Sequence, residues 1–149
     1  MKYTVLLSLI LSTALFANTN NKSIDRYDFH LLTSKGEIIL YYNSGVVKAR
    51  IPLDKGIRSG KANTYYPSGS KKTERHYVDG KVSGTSKSWY ESGNLKGEEE
   101  IRNGVRHGYK KTYYESGEKK EVALYDGGNI LDINVYDKDG SVSYSNNYK

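Results

Sequence analysis

One pattern returns at a fixed interval through most of this chain. Tyr41-Tyr42-Asn43-Ser44-Gly45 recurs as Tyr65-Tyr66-Pro67-Ser68-Gly69, as Trp89-Tyr90-Glu91-Ser92-Gly93 and as Tyr113-Tyr114-Glu115-Ser116-Gly117, each time after 24 residues. Two further glycine columns keep the same step, Gly56/Gly80/Gly104/Gly128 and Gly36/Gly60/Gly84/Gly108, and so do Lys48, Lys72, Lys96 and Lys120. Independent columns that hold one register over four copies define a repeat array, in which each unit buries its surface only against its neighbours.

The unit divides at its glycines into two parts of strand length. In the third copy an alternating, aromatic segment from Thr85 to Tyr90 meets a turn at Glu91-Ser92-Gly93-Asn94, and Leu95 to Arg102 then runs to Asn103-Gly104. Aromatic and β-branched runs bounded by Ser-Gly and Asn-Gly signal strands and hairpins, and glycine supplies the positive φ that tight turns need. After residue 17 no segment shows a 3.6-residue apolar period. Only 36% of the residues are hydrophobic, and 15 of these are tyrosines, too few to fill a thick core. The expected fold is all-β: an elongated single-layer antiparallel meander of about 4.5 hairpin repeats.

Equivalent strands of successive units should lie roughly 9.5 Å apart, too far for Tyr66 to stack on Tyr90. The column Leu53, Tyr77, Ile101, Tyr125 is expected to fill that gap. Neighbours such as Tyr41 and Tyr42 leave opposite faces of a strand, so both faces should carry aromatics, with tyrosine rings packed and their hydroxyls wet. Units are expected near residues 41–64, 65–88, 89–112 and 113–135, followed by a degenerate copy at 136–140 in which Asp137 replaces the second tyrosine. Residues 18–31 read as a polar N-terminal cap and 141–149 as a C-terminal tail or cap. Pro52, which cannot donate to a ladder, implies a bulge or a free edge.

The first 17 residues read as an export signal, with Met1-Lys2, an apolar run from Val5 to Phe16, and cleavage after Ala17 or Ala14. A periplasmic or secreted location follows as an expectation. The formal charge is +6, one unit less after loss of Lys2, with acids interspersed. That balance does not indicate a nucleic-acid partner. The absence of cysteine excludes disulfides and thiolate metal sites.

The segment W-Y-E-S-G-N-L-K-G-E-E-E-I-R-N-G-V-R-H-G (Trp89 to Gly108) closely resembles the variant MORN repeat of bacterial proteins, commonly described as YwqK-type antitoxins of toxin–antitoxin systems. The resemblance covers about residues 32–140. It implies an interaction or scaffold module, with lipid binding proposed for some members. Combined with an export signal, it points to an antitoxin-like or immunity-type factor acting outside the cytoplasm.

Catalytic constellations are sparse. His30, His76 and His107 occupy different columns, whereas a repeated metal site would share one, so no metal or cofactor is expected. The Ser44, Ser68, Ser92, Ser116 column precedes turn glycines, where a local side-chain to backbone bond outweighs a nucleophilic role. Glu98-Glu99-Glu100 alternates across a strand and reads as a solvated face beside Lys96. The expectation is a non-enzymatic module whose candidate protein-binding residues are Tyr41, Tyr42, Tyr65, Tyr66, Trp89, Tyr90, Tyr113 and Tyr114. The candidate anion- or lipid-binding row is Lys48, Lys72, Lys96 and Lys120. A protein partner, such as a toxin, is the leading reading. Binding of envelope lipid or glycan, and a structural, self-assembling role, stand as alternatives.

Overall fold

The computed structural model describes residues 36–148. The expected signal at 1–17, the N-terminal cap at 18–31, His30 and Lys149 lie outside the described residues. The described chain is one 12-stranded antiparallel sheet without a helix, as the repeat predicts. Among the described residues no helix is long and apolar enough to cross a membrane.

The main path runs β1 (Glu37–Tyr41), β2 (Val47–Asp54), β4 (Gly60–Tyr65), β5 (Lys71–Val78), β7 (Gly84–Trp89), β8 (Leu95–Arg102), β9 (Val105–Tyr113), β10 (Lys119–Asp126), β11 (Asn129–Tyr136) and β12 (Val142–Asn147). Two short strands, β3 (Ile57–Arg58) and β6 (Lys81–Val82), extend the hairpins of β2 and β5. Along the main path each strand pairs antiparallel with the next, so with β3 and β6 set aside the array is a meander.

Two kinds of turn alternate along it. At one end of the hairpins Gly45 N–H donates to Tyr42 C=O and Tyr42 N–H to Val46 C=O, with Gly45 at φ +83°. This is a three-residue loop whose glycine takes the left-handed position, and it returns at Tyr66–Ser70, Tyr90–Asn94, Tyr114–Glu118 and Asp137–Ser141. At the other end two consecutive residues have positive φ: Lys55-Gly56, Asp79-Gly80, Asn103-Gly104 and Gly127-Gly128. That is the signature of a type I′ hairpin turn, whose twist matches the strands.

Next to each three-residue loop the register slips. Thr64 faces Thr73 but Tyr65 faces Lys71, which leaves Lys72 as an extra, bulged residue. Lys48, Lys96 and Lys120 are bulged in the same way. The lysine column of the sequence is thus the β-bulge of each unit. Pro52 also sits at a discontinuity: its carbonyl accepts from Ser59 N–H, where β3 gives way to β4, so its missing donor faces a gap in the ladder.

The degenerate copy keeps its turn, and Val142–Asn147 pairs with β11 as an edge strand, so the C-terminal segment expected as a tail or cap closes the sheet. Bulge position 143 holds serine where the other copies hold lysine.

The residues that become buried, Ala49, Ala62, Ser86, Gly97, Ala123 and Tyr125, share one face by register and alternation. Most are small. We refer to this as the first face. Among the described residues no second layer covers either face.

Candidate functional site

Four tyrosines tie each unit to the next. Tyr42 Oη donates to the main-chain carbonyl of Tyr65 at 2.7 Å, Tyr66 to Trp89 at 2.8 Å, Tyr90 to Tyr113 at 2.8 Å and Tyr114 to Tyr136 at 2.9 Å. The expectation of wet hydroxyls is therefore corrected. The gap of two strand spacings is short enough for a tyrosine ring to span on its own. The column expected to fill it, Leu53/Tyr77/Ile101/Tyr125, lies instead at the opposite ends of the hairpins, beside the type I′ turns.

Each of these tyrosines is capped by the bulged lysine of its own unit. Lys48 Nζ lies 5.4 Å from the Tyr42 ring centre, Lys72 5.2 Å from Tyr66, Lys96 5.3 Å from Tyr90 and Lys120 5.5 Å from Tyr114. A cation over an aromatic face at this distance is attracted by the ring quadrupole. The second tyrosines and the lysine row, two separate candidates in sequence, thus form one structure. In the last copy both partners change together, to Asp137 and Ser143.

A second cation–aromatic line follows the other end of the hairpins. Arg58 lies 5.7 Å from the Tyr77 ring and Arg106 5.6 Å from Tyr125, while the equivalent positions of the middle unit are Val82 and Ile101. Backbone bonds also tie the units here, from Gly80 N–H to Arg58 C=O, Gly104 to Val82 and Gly128 to Arg106. This line was missed in sequence, although Arg58 and Arg106 stand 48 residues, or two periods, apart.

Between the two lines the first face has a low floor. A shallow depression of ≈ 150 Å³ there is lined by residues including Thr73, Arg75, Ser86, Ser88, Gly97 and Lys110. Thr64 and Thr73 share a 2.7 Å hydroxyl bond. The acids of the floor are engaged: Glu99 accepts from Arg106 at 2.8 Å and Glu121 from Lys110 at 2.8 Å. The hydrogen bond to Glu99 holds the Arg106 guanidinium above its ordinary pKa. Arg75 makes no ion pair among the described residues.

The second face differs in charge. Register places Glu74, Lys87, Glu98 and Lys111 in one line of alternating sign across four strands. Glu98 lies 3.9 Å from Lys87 and 3.7 Å from Lys111, and Glu74 meets Lys61 at 3.1 Å and Lys71 at 2.8 Å. The first aromatics, Tyr41, Tyr65, Trp89 and Tyr113, belong to this side by alternation and are half-buried. Lys71 caps Trp89 at 5.2 Å. Positive charge is compensated on the second face and in excess on the first.

The glutamate run divides as its alternation predicts, with Glu98 and Glu99 on opposite faces. The turn serines act differently from expectation. Ser92 Oγ donates to Glu115 of the next unit at 2.7 Å, and Ser68 meets Ser70 at 3.0 Å. His107, on β9, is half-buried and lies 2.9 Å from Asp126. Among the described residues no group of three His, Cys, Asp or Glu side chains is arranged to hold a metal.

Three stretches, residues 58–79, 83–103 and 106–126, match the family described as MORN repeat variant. No curated protein matches the chain. Among solved structures, it is similar to the glycosylation-associated protein (Gap123) complex from Streptococcus agalactiae, at 14% identity and a TM-score of 0.41 over 73% of this chain and 20% of that one. It is also similar to a TarM mutant of S. aureus in complex with fondaparinux, alpha-GlcNAc-glycerol and UDP, at 14% identity and a TM-score of 0.33 over 69% of this chain and 18% of that one. The chain spans about a fifth of the length of each.

Proposed function

We propose that this repeat sheet is an exported, non-catalytic protein-binding module that seats an elongated, acidic partner segment on its first face. The observation that carries the reading is the low floor of small and hydroxyl side chains between two lines of cation-capped aromatics. An extended chain laid across the strands would meet a positive charge at each repeat, roughly every 9.5 Å. Arg75, which makes no ion pair among the described residues, would meet it midway. Regular charge spacing sets register and speeds encounter more than it raises affinity. A toxin neutralised outside the cytoplasm is a partner of this kind, in keeping with an antitoxin-like or immunity-type role.

The test is affinity capture from the cell envelope, run beside liposome sedimentation at low and high salt. The reading expects one stoichiometric protein partner carrying an acidic segment, lost with Arg75→Ala and with Lys72/Lys96/Lys120→Gln while the β-sheet spectrum survives. Capture that is indifferent to these variants overturns it. Salt-sensitive liposome binding that is lost with the same lysines, in the absence of a protein partner, replaces it with the lipid reading.

A further inference from the structure

The last strand is unlike every long strand before it. Of the eight-residue strands, β2, β5, β8 and β10 carry three to five charged residues each and β11 carries one, Asp132, whereas the segment Ser141–Tyr148 has none. Its outer edge faces no strand among the described residues. Val142, Tyr144 and Tyr148 are 56%, 48% and 47% exposed. An edge strand normally carries charge, proline or a bulge along its length to prevent pairing with another chain. From Tyr144 to Tyr148 none of these is present.

The repeat chemistry also stops here. Asp137 has replaced the tyrosine that would reach for a following unit, so the joint used between the earlier units has no donor at this position.

We infer that β12 is a dimerisation edge, pairing antiparallel with β12 of a second copy of this chain about a twofold axis at Asn146. Register fixes the axis. Tyr148 N–H donates to Leu131 C=O, so Tyr148 and, by alternation, Asn146 and Tyr144 direct their backbone groups inward to β11. Ser145 and Asn147 then direct theirs outward. A twofold axis at Asn146 sets Ser145 opposite Asn147 of the second copy, and the reverse, which gives about four new backbone hydrogen bonds. The same register sets Tyr144 opposite Tyr148 of the second copy. These rings lie on one face of the strand, so two exposed aromatic pairs become cross-strand neighbours.

Self-pairing suits this strand in particular. A twofold axis brings each side chain near its own copy, and a charged strand would meet like charge; β12 has no charge to repel. The contact is isologous, so it closes at two copies. It is also small, which places it among weak, concentration-dependent interfaces. This inference does not depend on the proposed partner, which occupies the first face and not the edge.

The chain contains no cysteine, which permits a direct test. Residues facing across a non-hydrogen-bonded antiparallel pair have Cα atoms roughly 4.5 Å apart, within disulfide reach. The purified Asn146→Cys protein should therefore cross-link to a covalent dimer under mild oxidation, and an Asp79→Cys control at a distant turn should not. Sedimentation of the unmodified protein should show dimer formation with rising concentration. Asn147→Pro, which deletes an outward donor, should shift that equilibrium at least tenfold toward monomer. Tyr144→Lys, which leaves the backbone intact, should do the same if the proline variant misfolds. A monomer at all concentrations, equal cross-linking of both cysteines, or an open ladder of oligomers overturns the inference.

Discussion

The hydroxyl of Tyr66 donates a 2.8 Å hydrogen bond to the backbone carbonyl of Trp89, 23 residues on in the next repeat. The Lys72 ammonium sits 5.2 Å from the centre of the same ring. One residue thus closes its own hairpin loop with its backbone, spans the intervening strand with its side chain and carries a cation over its ring.

Removing only the hydroxyl separates these roles. Tyr66→Phe should lower stability by about 1 kcal/mol, the net value of one partly buried hydrogen bond, and should leave the ring and its lysine in place. Lys72→Met should lower it by about 0.5–1 kcal/mol through loss of the cation–aromatic contact at an exposed site. Urea denaturation of both single variants and the double checks this. A phenylalanine variant as stable as the parent would show that the hydroxyl contributes nothing to the joint between units.

Gly104 has φ +86° in the type I′ turn, and a Cβ added there would meet nothing within 4 Å. The effect of Gly104→Ala should therefore come from backbone strain alone, about 1–2 kcal/mol. Asn103→Ala, at φ +52°, should be milder, since Asn tolerates this region only somewhat better than Ala does. Comparing the two midpoints in urea measures this. An alanine at Gly104 that melts with the parent would rule out the type I′ assignment.

Ser86 is 4% exposed, and its hydroxyl has no hydrogen-bond partner among the described residues. The equivalent position one unit earlier is Ala62, itself buried. Ser86→Ala should be neutral or stabilising by up to about 1 kcal/mol, because a buried unpaired hydroxyl is a burden that alanine does not carry. A clear loss of stability in thermal melts would mean that the hydroxyl has a partner in solution.

Among the described residues, three carboxyls titrate below their ordinary range. Glu74 is held low chiefly by its hydrogen bond from Lys71, with Lys61 adding to it, Glu118 by Ser116 and Asp139 by Ser141. A depressed folded pKa gives stability that is complete above the unfolded value and is lost as pH falls through the folded one. The urea midpoint should accordingly stay level from neutral pH to about pH 5 and then decline below roughly pH 4. Glu74→Gln should start lower and decline less steeply. An unchanged acid slope in that variant would show that Glu74 is not one of the responsible groups.

What could be read in advance followed from backbone rules. Gly45, Gly80 and Gly104 mark positions of positive φ, which few other residues accept, so both turn types and the strand boundaries were visible in the glycine columns. The lysine column was visible, but its bulge was not, because a bulge depends on the register between two strands and lysine carries no preference for it. The tyrosine bonds were hidden for a related reason. Their acceptors are main-chain carbonyls, which every residue possesses, so Trp89 can replace tyrosine there and leave no trace of the contact in sequence. The charge asymmetry of the faces was equally hidden, since it arises from pairing Glu98 with residues on both neighbouring strands.

That the tyrosine hydroxyl addresses a backbone carbonyl has a consequence for how such a chain can change over time. A joint that ignores the side chain of its neighbour accepts any copy of the unit in any order. Duplication or deletion of one 24-residue segment would leave every remaining joint intact and would lengthen or shorten the sheet in increments of roughly 9.5 Å. The reach of the molecule is therefore an inheritable, stepwise quantity, adjustable by gain or loss of whole 24-residue units without redesign of the tyrosine joints.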